Sequence, residues 1–163
     1  MSEFDLPPGA QCSIEPFNIE AEYVPDPLLP DGTYKGIITK VELKPDVGIL
    51  EFTAELQGNE GIFCVDGITP ADGKTSRFAL WLLQKGDELV KSQFSSLTKR
   101  QEGIRTIKRF REKMKIEIGS EQDIIHAIES QEWLSIPVFA SVKSRPNNGI
   151  LYNYIKKLER ATS

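Results

Sequence analysis

The sequence predicts a mainly β domain with five strands and a helical region between the third and fourth. Three observations carry this prediction. Apolar and polar residues alternate with a period of two in several segments, which is typical of half-buried strands. The segment from 104 to 128 changes to helical spacing. Turn-forming residues, among them Asn147-Asn148-Gly149, separate the segments.

The composition predicts one soluble, folded, non-membrane protein. The chain has 163 residues, of which 39% are hydrophobic and 27% charged. No apolar run is long enough to span a bilayer, and residues 1–8 lack the features of a signal peptide, so a cytoplasmic location is expected. Two cysteines and one histidine can form neither a disulfide framework nor a zinc site without carboxylates. We therefore expect reduced cysteines and no metal site.

The chain divides into an arm, residues 1–32, and a folded domain, residues 33–160. The arm holds seven acidic residues, neither Lys nor Arg, and six of the 10 prolines. Proline at this density removes backbone donors and blocks helices and central strands. The arm should therefore be extended or partly disordered, and order is expected to begin at Asp31-Gly32.

The first two strands are expected to form a hairpin. The first covers Thr33–Leu43, where residues alternate along TYKGIITKVEL, and the second covers Ile49–Leu56. Turn chemistry in Pro45-Asp46-Val47-Gly48 separates them. The residues of the second strand expected to face inward are Leu50, Phe52, Ala54 and Leu56.

A third strand is expected at Arg77–Leu83, either as one interrupted strand or with a separate strand at Ile62–Val65. Arg77 and Trp81 share one face, and Phe78, Leu80 and Leu82 share the other. Periodicity does not decide which face is core, so Trp81 could pack inside or remain free to stack on a ligand.

The helical region contains two predicted helices. Its first part places Ile104, Ile107, Phe110 and Met114 on one face and basic residues around the rest, which predicts a basic amphipathic helix. Ser120 followed by Asp123 resembles a capping box and predicts a helix from about Glu121 to Ser130. Trp133 is expected to plug the core.

A second hairpin closes the chain. Alternation returns in Pro137–Arg145, where Val138, Ala140 and Val142 should face inward, and Ile150–Leu158 pairs with it. The order of three strands, a helical region and two strands is that of the OB fold, a five-stranded Greek-key barrel that binds oligonucleotides, although other small barrels share parts of this order.

Catalytic motifs are weak, and we expect no enzymatic activity. Gly73-Lys74-Thr75 resembles the end of a phosphate-binding loop, but the spacing requires a first glycine where Ile68 stands. His126 lies among apolar residues with no histidine partner, and a lone histidine there is more typical of a helix face than of a catalytic base.

The net charge of −4 hides a strong asymmetry along the chain. Residues 91–115 contain nine basic and two acidic residues, and residues 143–160 contain five basic and one acidic. Basic segments beside an acidic arm favour binding to a polyanion, although a solvated basic helix would give the same count for 91–115.

Binding to unpaired nucleotides needs cations for phosphates and flat rings for bases. The strand pattern supplies both on alternating positions. The phosphate candidates are Lys35, Arg77, Lys143, Arg145 and Lys156, and the stacking candidates are Trp81, Phe139, Tyr152 and Tyr154. Tyr152 and Tyr154 are open to a second interpretation, because tyrosine is also common in barrel strands.

The domain resembles the phage-type single-stranded DNA-binding OB-fold proteins. The resemblance covers about Asp31–Glu159. The segments that carry it are Asp31–Gly36, Leu50–Thr53, Ile107–Phe110, Pro137–Lys143, Asn148-Gly149 and Tyr152-Asn153. It implies sequence-tolerant protection of single-stranded DNA during replication and recombination in the host cytoplasm, with no cofactor and no turnover.

Two alternatives and one departure accompany this resemblance. Bacterial-type relatives carry an acidic tail at the C-terminus that recruits partners, whereas the acidic segment here is N-terminal. Recruitment of replication or recombination proteins by residues 1–32 is therefore a hypothesis. The alternative function is a non-enzymatic protein-interaction barrel of a replication or phage assembly, and RNA is a further candidate ligand.

Overall fold

The computed structural model describes residues 13–22, 27–84, 86–93 and 95–161. The elements in chain order are α1 Ile19–Glu22, β1 Gly32–Lys44, β2 Ile49–Leu56, β3 Thr75–Trp81, a 3-10 turn at Asp87–Leu89, α2 Lys99–Met114, α3 Glu121–Glu129, β4 Pro137–Asn147 and β5 Ile150–Arg160. No helix in these ranges is long and apolar enough to cross a membrane.

Within these ranges, five strands form an antiparallel sheet in the order β3-β2-β1-β4-β5. The prediction of a mainly β protein with five strands is confirmed. β3 and β5 are the two edges of the sheet. They approach one another to within 8 Å between Cα atoms but form no ladder of backbone hydrogen bonds, so the sheet is curved and open.

The predicted Asn148-Gly149 turn and the predicted start of the second helix are confirmed. Asn148 and Gly149 both have positive φ, at 52° and 79°, as a two-residue hairpin turn with right-handed strand twist requires. The Ser120 hydroxyl accepts a hydrogen bond from the Asp123 backbone N–H at 3.2 Å and caps α3.

The core lies between the concave face of the sheet and helix α2. Leu50, Phe52, Ala54 and Leu56 are fully buried, as the period-two pattern of β2 predicts. The Phe52 ring lies 5.1 Å from Phe110 of α2 and 5.8 Å from Trp133, measured between centroids. Trp133 is 3% exposed, so it fills the core as predicted.

Strand β1 departs from the single alternation predicted for it. Tyr34 and Ile38 face the core, but the pairing with β2 shifts between Ile38 and Lys40, which leaves Thr39 as a bulge. One extra residue reverses the side of every residue after it, so Val41 and Leu43 then face the core.

In β3, the structure selects Phe78 and Leu80 for the interior. The Phe78 ring stacks on Phe110 at 5.2 Å, and Leu80 is buried, which leaves Arg77 and Trp81 on the outer face. Segment 62–65 is not a separate strand, because only Phe63 forms an isolated bridge there, to Pro70. Thr75 begins a strand, whereas a phosphate-binding loop would lead into a helix.

The last residues of the arm belong to the folded body. Leu29 is 2% exposed, and the side-chain amide of Asn153 both accepts from its N–H at 2.8 Å and donates to its carbonyl at 3.1 Å. The Tyr34 hydroxyl donates to the Pro30 carbonyl at 2.6 Å. Ordered packing thus begins before Asp31, and α1 adds a helical turn where an extended chain was expected. The remainder of the arm, 1–12 and 23–26, lies outside the described residues.

Gly36 is required where β1 lies between β2 and β4. A Cβ atom at this position would stand 2.7 Å from the backbone carbonyl oxygen of Glu55, which a central strand cannot move freely. We expect Gly36→Ala to lower the free energy of unfolding by about 1–3 kcal/mol, measured by urea denaturation. Gly32→Ala is the matched control, since its Cβ would meet nothing closer than 3.8 Å. Equal stability of the two variants would contradict this assignment.

Candidate nucleic-acid interface

The space between the two sheet edges forms a groove of about 750 Å³, called here the β3–β5 groove. It is lined by six of the nine residues that the sequence predicts for nucleic-acid binding. These are Arg77, Trp81, Arg145, Tyr152, Tyr154 and Lys156. Residues about 70 positions apart in the chain thereby lie on one surface, because β3 and β5 are the edges that curl toward each other.

Strand β3 contributes its outer face to the groove. Since Phe78 and Leu80 face inward, the alternation turns Arg77 and Trp81 outward. Trp81 is 60% exposed, so it does not pack in the core, and its ring is open to contact by a planar group. The buried tryptophan is Trp133, so the two tryptophans have separate environments.

The β4–β5 hairpin contributes the opposite side. Its register pairs Arg145 with Tyr152 and Lys143 with Tyr154, and directly paired residues share one face of a sheet. Lys143 therefore stands beside the groove, next to Tyr154. A register shift opposite Ser141 and Val142 leaves Lys156 as the extra residue of a bulge, and its exposed side chain borders the groove.

Arg145, Tyr152 and Tyr154 form a compact cluster. The Arg145 guanidinium carbon lies 4.5 Å from the Tyr154 ring centroid and 5.5 Å from that of Tyr152. Arg145 Nε also donates a hydrogen bond to the Tyr152 hydroxyl. The two rings are 6.5 Å apart and tilted by 52°. Such cation–π contacts hold the guanidinium over the rings, with its terminal N–H groups available to a phosphate.

The groove carries more positive than negative charge. Its lining contains the cations Arg77, Arg145 and Lys156 and the single carboxylate of Glu51. Glu51 lies 3.3 Å from Lys44 Nζ and 3.9 Å from Arg77 Nη1, so two cations offset it. A chain of phosphates would meet a positive surface along both edges of the sheet.

Besides Lys143, which stands next to the groove, two predicted residues lie away from it. Lys35 and Phe139 are paired across β1 and β4 and share another part of the outer face. Phe139 is half-buried and lines a smaller pocket of about 370 Å³ with the C-terminal part of α2. That pocket is rich in cations from the basic helix, among them Arg109, Lys113 and Lys115.

Sequence reasoning missed two residues that organise the groove. Asn153 lies among the groove residues but uses its amide to hold Leu29. Glu51 balances the charge of Arg77 and Lys44. An outward glutamate in β2 was visible in the strand pattern, but the partners of both residues depend on strand order, which local periodicity does not contain.

Groups with displaced pKa values lie near the start of β1 and in the β2–β3 connection. Burial raises the pKa of the Cys64 thiol, which therefore stays protonated and unreactive at neutral pH. Burial also raises the pKa of Tyr34. Backbone N–H groups of Ile68 and Thr69 lower the pKa of Asp66, whose carboxylate closes a surface turn. The main causes of these pKa shifts are burial and local hydrogen bonds.

Among the described residues, the remaining histidine and acidic side chains form no second candidate site. His126 is exposed on α3. In the described ranges, no group of three or more His, Cys, Asp or Glu side chains is placed to hold a metal ion.

No protein-family model matches the chain, and no curated protein matches it as a relative.

Proposed function

We propose that this protein binds single-stranded DNA in the β3–β5 groove without strong sequence preference. The observation that carries the proposal is the convergence of three cations and three exposed or half-exposed aromatic rings on one groove. Unpaired bases stack on such rings whatever their sequence, and cations track the phosphates between them. A duplex hides its base faces, so this combination favours single strands.

The strand order and connectivity of the sheet also support this proposal. A sheet in the order β3-β2-β1-β4-β5 whose edges approach one another has the connectivity expected of an OB barrel, with α2 and α3 following β3 in the chain. We propose that the domain is an OB fold. Its roles in replication and recombination, a phage source, a cytoplasmic location and partner binding by the acidic arm stay predictions.

In the proposed complex, each candidate has a defined task. Trp81 stacks one base at the β3 edge, and the Tyr152–Tyr154 pair stacks others at the β5 edge. Arg77, Arg145 and Lys156 contact the intervening phosphates, and Lys143 extends this line along the hairpin. Lys35 and Phe139 would contact only a strand that continues past the groove.

The test is a titration of the full chain with oligo(dT), followed by tryptophan emission. We expect quenching that saturates at a fixed number of nucleotides, because Trp81 is exposed and Trp133 is buried. Trp81→Phe should keep binding in a gel-shift assay while removing the quenching. A flat signal without a gel shift would reject the proposal and favour the protein-interaction module; stronger competition by matched RNA would change the ligand to RNA.

Salt dependence gives an independent prediction. Each phosphate neutralised on a single strand contributes about −0.7 to the slope of log K against log salt. With three groove cations and Lys143 engaged, we expect a slope of about −2 to −3. Lys143→Ala should make the slope shallower by about 0.7, whereas Lys40→Ala, on the exposed Lys40–Glu42 pair, should leave it unchanged. A slope near zero for the wild type would exclude binding driven by phosphate contacts.

A further inference from the structure

A second groove lies between α2, α3 and the β1–β2 turn and is called here the α2–α3 groove. Its volume is about 870 Å³, larger than that of the β3–β5 groove. Its walls are mainly aliphatic. They include Leu43, Leu82, Ile104, Ile107, Ile118 and Ile124. Ile104 is 47% exposed, so an apolar surface on α2 remains open to solvent.

Cations line the α2 side of this groove. They are Arg100, Lys108 and Arg111, and Asp46 and Glu121 stand among the residues contributed by the turn and α3. Among the described residues, neither Arg100 nor Arg111 forms an ion pair, and Lys108 has only a long contact of 3.9 Å with Glu112. The groove therefore suits a ligand with apolar side chains and carboxylates on one side.

The same chain carries a segment with this chemistry at residues 13–22. Phe17 and Ile19 are 69% and 68% exposed, although both are large and apolar. The segment also holds Glu15, Glu20 and Glu22 and no basic residue. Helix α1 is preformed there, since the Asn18 side chain accepts a hydrogen bond from the Ala21 N–H at 3.2 Å. A segment that is already ordered loses less entropy on binding.

We propose that residues 13–22 of one molecule bind in the α2–α3 groove of a second copy. Phe17 and Ile19 fill the apolar floor, and the glutamates face Arg100, Lys108 and Arg111. Both apolar side chains are exposed in their own chain, so they do not fill its own groove, and the contact is made between two molecules. This association does not depend on DNA binding, because its residues lie away from the β3–β5 groove.

Two single variants and their mixture test this proposal by sedimentation equilibrium. Phe17→Ser removes the main apolar contact of the segment, and Ile104→Glu places a carboxylate in the groove; both positions are exposed, so folding should persist. The wild type should self-associate with concentration, and each variant should associate at least about tenfold more weakly. An equimolar mixture of the two variants should regain association, since it retains one intact segment and one intact groove. Ile68→Ser, 80% exposed in the β2–β3 connection, is the control and should behave as wild type.

A labelled peptide of residues 13–22 gives a second readout by fluorescence anisotropy. It should bind the full-length Phe17→Ser protein, whose groove is intact, and bind Ile104→Glu at least about tenfold more weakly. Binding should weaken with salt. A monomeric wild type, a mixture that does not regain association, or equal peptide binding by both variants would overturn the proposal. Oligo(dT) titration of both variants separates this result from the proposed DNA function, which neither substitution should change.

Discussion

Replacing Trp81 with alanine is expected to weaken oligo(dT) binding by about 5- to 150-fold. The physical reason is the loss of one base stack, worth about 1–3 kcal/mol by alanine substitution. Trp81 is 60% exposed at the β3 edge and packs against no core ring, so its removal should leave the fold intact. The dissociation constants are measured by gel shift, because the substitution also removes the fluorescent reporter.

Two controls make this result specific to the groove. Phe63→Ala removes another exposed aromatic ring, 45% accessible in the β2–β3 connection and outside the groove, and should leave affinity unchanged. Urea denaturation checks that Trp81→Ala has wild-type stability. A wild-type affinity for the folded Trp81→Ala protein would remove Trp81 from the interface and leave the Tyr152–Tyr154 pair as the stacking surface.

At the β5 edge of the groove, the contacts of Arg145 complicate a test of base stacking. Its guanidinium already covers Tyr152 and Tyr154, at 5.5 and 4.5 Å, so a base must stack on their open faces or displace it. Arg145 therefore both supplies charge and occupies stacking surface. These effects oppose each other, whereas the Trp81 ring has no such cover in the described structure. Trp81 is for this reason the cleaner test of base stacking.

Local patterns predicted the elements whose boundaries are determined by neighbouring residues. The alternation of β2, the Ser120 cap of α3 and the Asn148-Gly149 turn are all local, and all are confirmed. The bulge at Thr39 was not predicted, because the alternation of β1 continues through it in sequence. Only the pairing with β2 shows that the inward side changes after Ile38.

The sequence predicted most residues of the candidate interface but not that they meet on one surface. Outward cations and rings could be recognised from the β4–β5 pattern, so Arg145, Tyr152 and Tyr154 were found. Their meeting with Trp81 depends on the curvature that brings β3 to β5. The inward face of β3 could not be decided from sequence, because each face carries a large aromatic side chain, Phe78 on one and Trp81 on the other. The stacking of Phe78 on Phe110 of a distant helix places Phe78 inside.

The second large expected effect is a loss of stability when the last residues of the arm are removed. Proline density and acidity predicted an arm through residue 32, yet Leu29 is 2% exposed in the core. Its backbone is held at both polar groups by Asn153, and the Leu28 carbonyl accepts from the Val65 N–H at 2.7 Å. Composition could not reveal this, since the partners lie 124 and 37 residues away in the chain.

Deleting residues 1–30 should therefore destabilise the domain much more than deleting residues 1–26. The longer deletion removes the Leu29 side chain, for which loss of a buried leucine costs about 2–5 kcal/mol. It also leaves the Asn153 amide and the Tyr34 hydroxyl without their partners, at about 1–3 kcal/mol for each group that stays buried. These losses are a large part of the roughly 5–15 kcal/mol that stabilises a typical domain.

Chemical denaturation of both deletion variants and of the full-length Leu29→Ala protein checks this expectation. The 1–26 deletion keeps Leu29 and should be destabilised much less than the 1–30 deletion, and Leu29→Ala should lower the free energy of unfolding by about 2–5 kcal/mol. Asn153→Ala should destabilise by a smaller amount, because Leu29 stays buried while its N–H and carbonyl lose their partners. A 1–30 deletion as stable as the 1–26 deletion would show that Leu29 contributes nothing. A truncation made to remove the acidic arm must accordingly end before Pro27, because a longer one also removes the contacts of Leu29.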